Sequence, residues 1–360
     1  MFTMTSRSFG APAGLVLGLT LFTASLAAQG EVGLGVTAVA ETPPLDFEAA
    51  ARYSADNQGL AVLVYHKGAL VFEEYQNGHT AAKAHHLFSG TKSFAPLVAL
   101  RAEGDGLLDL DERACETIVE WKDDPRRSRI TIRQLLNFTS GLKVDDDVMH
   151  APLTRDKYAA AIACEAASDP GKRFRYGSCH LMAFGELLER KLQAAGAKEQ
   201  DFVAYLQKRI LDPIGCKVAM WLRDGKQNPA LPYGAFMTAR EWAKFGLLVL
   251  AGGRHEGREI VPAERFAECF AGTKANPAYG LNFWLIGKAL HALNPRIPAD
   301  VVAASGMYQQ HLYVLPAQEL VIVRFGKERV QSRFGNAVFL GALFREAPTG
   351  KQAREAVGKD

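Results

Sequence analysis

The fold is constrained most by two pairs of β-branched and aromatic runs, one near each end of the chain. GLAVLVY (59–65) and ALVFEEY (69–75) are joined by HKG, and HLYVLP and LVIVRFG (311–326) repeat this hairpin pattern across AQE. Most segments between them place apolar residues at helical spacing, as in TAREWAKFGLLVLAGG (238–253). If both hairpins join one sheet, the middle must cover its faces or form a second lobe beside a cleft. The chain is therefore predicted to be α+β, with a central antiparallel sheet from both chain ends, flanking helices and a mainly helical lobe.

Composition and charge are those of an ordinary globular protein. The 360 residues are 48% hydrophobic and 22% charged, which is enough for a full core and two lobes. With 42 Lys and Arg against 39 Asp and Glu, the formal net charge is +3, and neither sign forms long runs. A nucleic-acid partner is therefore not expected.

The first 28 residues have the layout of a secretory signal peptide. Arg7 is their only charge, and an apolar stretch over 13–28 ends in small residues. We expect cleavage after Ala27 or Ala28, export to the periplasm or the medium, and no stable membrane span afterwards. The alternative is an uncleaved anchor, but Gly, Thr and Ser dilute the roughly 20 apolar residues that a span needs.

The cysteines predict neither a metal site nor a firm disulfide framework. They form no CxxC and no Cys/His ligand spacing, so no metal or other cofactor is predicted. In an oxidising compartment one or two disulfides can form, and at least one thiol must stay unpaired within the chain. Pairing cannot be read from the sequence, and Cys164 with Cys179 is only a candidate pair. The five cysteines are Cys115, Cys164, Cys179, Cys216 and Cys269.

The stretch HHLFSGTKSFAPL (85–97) holds a serine three residues before a lysine, followed by an apolar run. On a helix, Ser89 and Lys92 would lie one turn apart on the same face. A serine hydroxyl needs a base, and a lysine with the ordinary pKa of ~10.4 is no base at neutral pH. Burial or a second cation would lower that pKa. A helix N-terminus would also present backbone N–H groups, including that of Ser89, to an oxyanion.

The same pattern also has a purely structural interpretation. Ser89 would then cap a core helix while Lys92 reaches solvent. A second SxxK, Ser140 to Lys143, leads into an acidic loop where nothing would hold the pair rigid. A Ser/His/Asp triad is disfavoured because no GxSxG elbow exists to present its serine. Its histidine would have to be one of His85, His86, His180 and His311.

Several stretches occur together in a specific order and spacing. They are SGTKSF (89–94), ITIRQLLNFTSGL (130–142), FRYGS (174–178), MTAREWAKFGLLVL (237–250), YGLNFW (279–284) and GMYQQHLYVLPAQELVIVRFG (306–326). In this order they resemble the serine β-lactamase and penicillin-binding-protein-like hydrolases, from about Phe47 to Phe344. The resemblance is greatest to the class C-like branch, which contains esterases and 6-aminohexanoate-dimer hydrolases.

This resemblance implies roles for individual residues. Ser89 would be acylated, Lys92 and Tyr176 would exchange protons, and the amides of Ser89 and Met307 would stabilise the oxyanion. Without the resemblance, Tyr176 is one of ten tyrosines, and the alternative role is that of a buried structural hydroxyl. The residues expected to line the substrate site are Ser178, Ser305, Gly306 and Gln310. For Gln310, a strand-end hydrogen bond within the fold is the equal alternative, and Gly306 is expected to allow close substrate approach.

Two departures from the family pattern bear on the substrate. The YxN motif becomes Tyr-Gly-Ser at 176–178, so Ser178 offers a hydroxyl in place of a carboxamide. The KTG motif becomes Ala-Ser-Gly at 304–306, and Ala304 removes a cation that helps to hold a substrate carboxylate. A charge-assisted bond of this kind is worth about 1.5–3 kcal/mol. Its loss should weaken the binding of substrates with a carboxylate, unless another cation such as Arg324 takes its place.

The expected activity is hydrolysis of a carboxylic ester or small amide. The alternatives are a β-lactamase or D-alanyl-D-alanine carboxypeptidase, and a weakly catalytic or non-catalytic sensor. The predicted organisation is a signal peptide (1–28), a linker (29–45), a β-lactamase-related domain (46–347) and a tail (348–360). The sheet lobe would use about 46–100 and 235–347, and the helical lobe about 101–234.

Overall fold

The computed structural model describes residues 45–144 and 155–344, which fall within one compact unit. The predicted signal peptide, its cleavage site, most of the predicted linker and the tail lie outside the described residues. The strands are β1 (Gly59–His66), β2 (Ala69–Tyr75), β3 (His85–His86), β4 (Met220–Trp221), β5 (Ala235–Met237), β6 (Arg254–His255), β7 (Arg258–Glu259), β8 (Trp284–Leu285), β9 (Val302–Gly306), β10 (Gln310–Leu315) and β11 (Leu320–Gly326). The α-helices are α1 (Phe47–Asp56), α2 (Phe94–Gly104), α3 (Ile132–Leu136), α4 (Lys157–Ala163), α5 (Cys179–Ala194), α6 (Phe202–Leu206), α7 (Ala239–Leu250), α8 (Gly287–Leu293) and α9 (Asn336–Leu343).

The central sheet contains strands from both ends of the described chain. Its order is β2, β1, β11, β10, β9 and β8, and each neighbouring pair is antiparallel. β1 and β11 pair with Val62 opposite Arg324 and Leu63 opposite Val323. The two hairpins are therefore neighbours at the middle of one sheet, which confirms the predicted α+β fold.

Helices cover both faces of this sheet. Successive side chains of a strand point to opposite faces, so Leu63 and Val323 pack in one hydrophobic cluster and Val62 and Ile322 in the other. α7 packs on the first face, and α1 and α9 pack on the second. α3 to α6 come from the stretch 101–234, which the sequence analysis assigned to a helical lobe.

The candidate disulfide between Cys164 and Cys179 is not formed. All five cysteines are in the thiol form. The Cys164 thiol donates to the Ala160 carbonyl, which lies one helical turn before it, and the Cys179 thiol donates to the Lys143 carbonyl. Each of these two thiols thus forms a hydrogen bond to a nearby backbone carbonyl and not a bond to the other sulfur.

The described residues contain neither a membrane-spanning helix nor a cluster of metal ligands. No helix within 45–144 or 155–344 has the length and apolar character needed to cross a bilayer. In the same ranges, no three or more His, Cys, Asp or Glu side chains are grouped so that they could hold a metal ion.

Glu189 on α5 is a partly buried carboxyl within the helical part of the chain. Its oxygen accepts a hydrogen bond from the Tyr158 hydroxyl at 2.8 Å. Burial raises the pKa of Glu189 from 4.5 to about 7, and the neighbouring charges of Asp201 and Glu186 add to this effect. In the folded protein the Glu189 carboxyl therefore keeps its proton at pH values where the same group in the unfolded chain is ionised.

Glu189→Gln should change how stability depends on pH. Because the folded-state pKa is raised, Glu189 makes the wild type less stable as the pH rises from 4.5 to about 7. Glutamine can still accept from Tyr158 but does not ionise. We expect the variant to gain stability relative to wild type between pH 5 and pH 8, measured as urea midpoints. Glu264→Gln, at an exposed carboxylate, is the control for removing a charge at the surface. A stability difference between Glu189→Gln and wild type that stays constant from pH 5 to pH 8 would contradict the prediction.

Candidate active site

Ser89 and Lys92 lie on a 3₁₀ helix, Phe88–Ser93, that runs directly into α2. Residues three apart eclipse one another in a 3₁₀ helix, and the Lys92 Nζ donates to the Ser89 Oγ at 2.9 Å. Lys92 is 3% exposed, so it does not reach solvent as the structural interpretation required. The helix that begins around Ser89 is a 3₁₀ helix, and the α-helix α2 begins only at Phe94.

The 3₁₀ helix is held by contacts with β5 and α7. The Leu87 amide donates to the Ala235 carbonyl at 2.9 Å, and the Ala235 amide donates to the Thr91 hydroxyl at 3.2 Å. Gly90 lies under the indole of Trp242, where a Cβ atom would be 2.8 Å from a ring carbon. Both neighbours therefore fix the backbone on either side of Ser89.

β9 touches the same segment at Gly306. A Cβ atom at this position would lie 2.1 Å from the Leu87 carbonyl oxygen and 3.2 Å from the Gly90 nitrogen. The close approach that needs glycine is thus to the backbone beside Ser89, whereas the sequence analysis expected an approach to substrate. Met307 follows immediately, and its side chain is 59% exposed. The predicted second oxyanion donor therefore comes from a strand end that lies against the Ser89 segment.

Lys92 connects Ser89 to Tyr176. Its Nζ donates a second hydrogen bond, to the Pro232 carbonyl at 2.9 Å, and lies 5.0 Å from the centroid of the Tyr176 ring. The three predicted reactive side chains are therefore neighbours. The role of Pro232 was missed by sequence reasoning, because a main-chain acceptor leaves no side-chain signal.

Packing against other aromatic rings orients Tyr176. Its ring stacks on Trp284 with centroids 5.7 Å apart and meets the edges of Phe138 and Tyr279 at 5.4 and 6.0 Å. The Arg175 amide, one residue earlier, donates to the Phe138 carbonyl at 2.9 Å. The loop before α5 therefore holds the Tyr176 ring next to Lys92.

The second SxxK serine has a structural role next to this loop. Ser140 is fully buried, and its hydroxyl lies 2.8 Å from Nδ1 of His180. The other ring nitrogen of His180 lies 2.9 Å from the Arg175 carbonyl oxygen. Burial lowers the pKa of His180 to about 4, so the ring is neutral near pH 7. Ser140 and His180 tie the Tyr176 loop to the core, and His180 does not approach Ser89 as a triad would need.

The residues predicted to bind substrate are distributed differently. Ser178 is 3% exposed at the start of α5, and the Ser305 hydroxyl lies 3.0 Å from Nδ1 of His311. Gln310 is fully buried and bonds to the turn between β9 and β10, which favours the internal hydrogen-bond alternative. Arg324 is also fully buried, so it cannot contact substrate in place of the cation missing at Ala304.

Comparisons with known proteins identify the family and the fold. A family model described as Beta-lactamase matches residues 46–337. A putative 6-aminohexanoate-dimer hydrolase from Bacillus anthracis has a TM-score of 0.62 and 22% identity, covering 80% of this chain and 78% of that one. EstCE1, a hydrolase with promiscuous acyltransferase activity, has a TM-score of 0.62 and 15% identity over 83% of this chain and 99% of that one. At these identities the two structures establish the fold.

A curated relative matches a smaller part of the chain. Monacolin J acid methylbutanoyltransferase of Aspergillus terreus is 32% identical over 157 residues, which are 36% of this chain and 36% of the relative. The chain thus matches only about a third of the length of that relative.

Gly306→Ala should disturb the contact between β9 and the Ser89 segment. Its Cβ would meet a backbone oxygen at 2.1 Å, so one of the two segments must move. Overpacking of this kind costs about 1–3 kcal/mol, which urea unfolding can measure. Gly335→Ala is the matched control, because its φ is similarly extended and its nearest neighbours are 3.9 Å away. Equal stabilities of the two variants would show that the approach at Gly306 is not tight.

Proposed function

Since the chain belongs to the β-lactamase family, we propose that it is a serine hydrolase that cleaves a carboxylic ester or small amide through an acyl-enzyme on Ser89. The observation that carries this proposal is the 2.9 Å bond between Lys92 Nζ and Ser89 Oγ, beside the Tyr176 ring. The Pro232 carbonyl accepts a second hydrogen bond from the same amine, and this bond fixes the direction of the Lys92 side chain.

In the proposed acylation, Ser89 Oγ attacks the substrate carbonyl carbon while its proton passes to the Lys92 amine. The buried Lys92 Nζ lies 2.9 Å from Ser89 Oγ, which is the distance needed to receive this proton. The amides of Ser89 and Met307 stabilise the oxyanion that forms. Lys92 and Tyr176 then deliver the proton to the leaving alcohol or amine as its bond to carbon breaks.

Deacylation reverses these roles. Water attacks the acyl carbon, gives its proton to the Tyr176 and Lys92 pair, and the Ser89 oxygen leaves with that proton. The products are a carboxylic acid and the regenerated hydroxyl. The reaction therefore needs no group beyond the substrate, water and these side chains.

Ala304 provides no cation for a substrate carboxylate, which favours substrates without one. Its methyl group is 2% exposed, and the buried Arg324 offers no replacement cation. Tyr176 and Trp284 add aromatic surface next to the reactive side chains. Two structural neighbours, a putative 6-aminohexanoate-dimer hydrolase and EstCE1, are named as hydrolases and support hydrolysis as the type of reaction.

Acyl transfer is a second candidate, and the relatives favour it. EstCE1 is named for promiscuous acyltransferase activity, and the Aspergillus terreus relative is a methylbutanoyltransferase. The same acyl-enzyme would then be attacked by an alcohol instead of water. Adding butanol to an ester assay and measuring butyl ester against free acid separates the two reactions.

Export belongs to the same proposal and rests on the charge and apolar pattern of residues 1–28. A non-catalytic sensor is the contrasting role. An adduct on Ser89 that forms but never hydrolyses, seen by intact mass over hours, would favour the sensor.

Ser89→Ala should abolish hydrolysis of p-nitrophenyl butyrate and labelling by a fluorophosphonate probe. The reason is that the attacking oxygen is removed while Lys92 and Tyr176 remain. Ser140→Ala removes the serine of the other SxxK, which bonds His180, so its rate should fall but its label should still be found on Ser89. Peptide mapping of the label locates the adduct. A wild-type rate retained by Ser89→Ala would exclude Ser89 as the nucleophile.

The wild type should turn over nitrocefin less efficiently than its best p-nitrophenyl ester. Losing one charge-assisted bond to the lactam carboxylate is expected to lower kcat/KM by roughly tenfold or more. Steady-state kinetics with both substrates measure this ratio. Comparable efficiencies would mean that Ala304 does not determine the substrate class.

A further inference from the structure

The turn between β9 and β10 adopts a backbone conformation that needs external support. This turn, Met307–Gln309, is defined here as the oxyanion turn because it begins with the proposed donor. Tyr308 and Gln309 have φ angles of 59° and 65°. Residues with a Cβ pay a steric cost in this left-handed region, and two in succession pay it twice.

Gln310 holds the first two carbonyls of the oxyanion turn. Its Nε2 lies 3.3 Å from the Met307 oxygen and 3.1 Å from the Tyr308 oxygen. The same amide bonds to Gly326 of β11 through both of its ends, at 2.8 and 2.9 Å. Gly306, on the other side of the Met307 amide, pairs with Gln310 in the sheet. The peptide planes on both sides of Met307 are thus anchored.

Arg324 of β11 holds the third carbonyl. Its guanidinium donates to the Gln309 oxygen at 2.9 Å, to the Asn57 oxygen at 2.7 Å and to the Ser54 hydroxyl at 3.3 Å. Asn57 is the C-cap of α1, so the cation lies at the negative end of a helix dipole. Among the residues within 45–144 and 155–344, no acidic side chain forms an ion pair with Arg324. Burial lowers its pKa to about 10, so the group is still charged at neutral pH.

His311 supports the same turn through a side chain. Its Nε2 lies 3.0 Å from the Gln309 Oε1, and its Nδ1 lies 3.0 Å from the Ser305 hydroxyl. Burial and the charge of Arg324 lower the pKa of His311 to about 3, so the ring stays neutral. A neutral ring that donates to Gln309 must accept from Ser305. Ser305 therefore contributes to the turn rather than to a free substrate contact.

We propose that Arg324 is a positioning residue that holds the oxyanion turn so that the Met307 amide faces the acyl carbonyl. Arg324 acts through the Gln309 carbonyl and touches no substrate, because it is fully buried on the α1 side of the sheet. The proposal rests on the assignment of Met307 as an oxyanion donor in the proposed function. The buried cation of Arg324 thus supports the end of β9 from the α1 side of the sheet.

Arg324→Met tests this role with two measurements on the full chain. Misplacing a reacting group by about 1 Å costs on the order of a hundredfold in rate, so kcat for p-nitrophenyl butyrate should fall by about thirtyfold to a hundredfold. KM should stay within about twofold, because the substrate loses no direct contact. Hydrogen–deuterium exchange of a peptide covering 305–310 should become faster. Arg324→Lys keeps a cation and a donor and should recover part of kcat.

Tyr313→Phe is the matched control on the neighbouring strand. It removes a buried hydrogen bond to Asn336, of 2.6 Å, on the same side of the sheet. We expect a lower Tm but an unchanged kcat and unchanged exchange of 305–310. If Tyr313→Phe lowers kcat as much as Arg324→Met, the effect is one of general stability and the proposal is wrong.

The remaining outcomes also decide the question. A folded Arg324→Met with wild-type kcat overturns the proposal whatever the exchange data show. If Arg324→Met does not fold, Arg324→Gln removes the charge and the fork of donors while keeping a polar side chain, and an unchanged kcat there overturns the proposal. If the wild type shows no Ser89-dependent hydrolysis, the proposed function fails, and exchange alone then decides whether Arg324 holds the turn.

Discussion

The bond between Lys92 and Ser89 depends on a 3₁₀ helix of six residues, which is longer than such helices usually are in isolation. Its hydrogen bonds have poorer geometry than those of an α-helix, so outside contacts must stabilise it. Ala235, Trp242 and Gly306 provide these contacts from three different elements. The reactive pair is therefore a product of the assembled fold, even though its two residues are only one turn apart.

Buried polar side chains set the geometry of both walls of the site. A buried donor or acceptor must be paired, so each pair fixes the loop that provides its partner. On one wall, His180 connects Ser140 to the backbone next to Tyr176. On the other, Gln310 and Arg324 hold the carbonyls of the oxyanion turn.

The positive charge nearest the oxyanion turn lies beneath the sheet and not at position 304. Ala304 provides no cation at the cleft, whereas Arg324 keeps one beneath the sheet, satisfied by carbonyl oxygens and the end of α1. A cation in that place cannot bind a substrate carboxylate. Its positive charge instead supports the backbone that would stabilise a developing negative charge. The proposed uncharged ester or amide would not need a cation at that position.

Hydrophobic periodicity in the two hairpins determined the sheet, and motif order determined the family and the set Ser89, Lys92 and Tyr176, because these signals are local in sequence. The tertiary structure decided what depends on distant backbone: the 3₁₀ form around Ser89, the acceptor at Pro232, and the contact of Gly306 with Leu87 rather than substrate. It also decided that Gln310 and Arg324 face inward. A sequence lists donors and acceptors, but which of them meet is fixed only when strands far apart in the chain pack together.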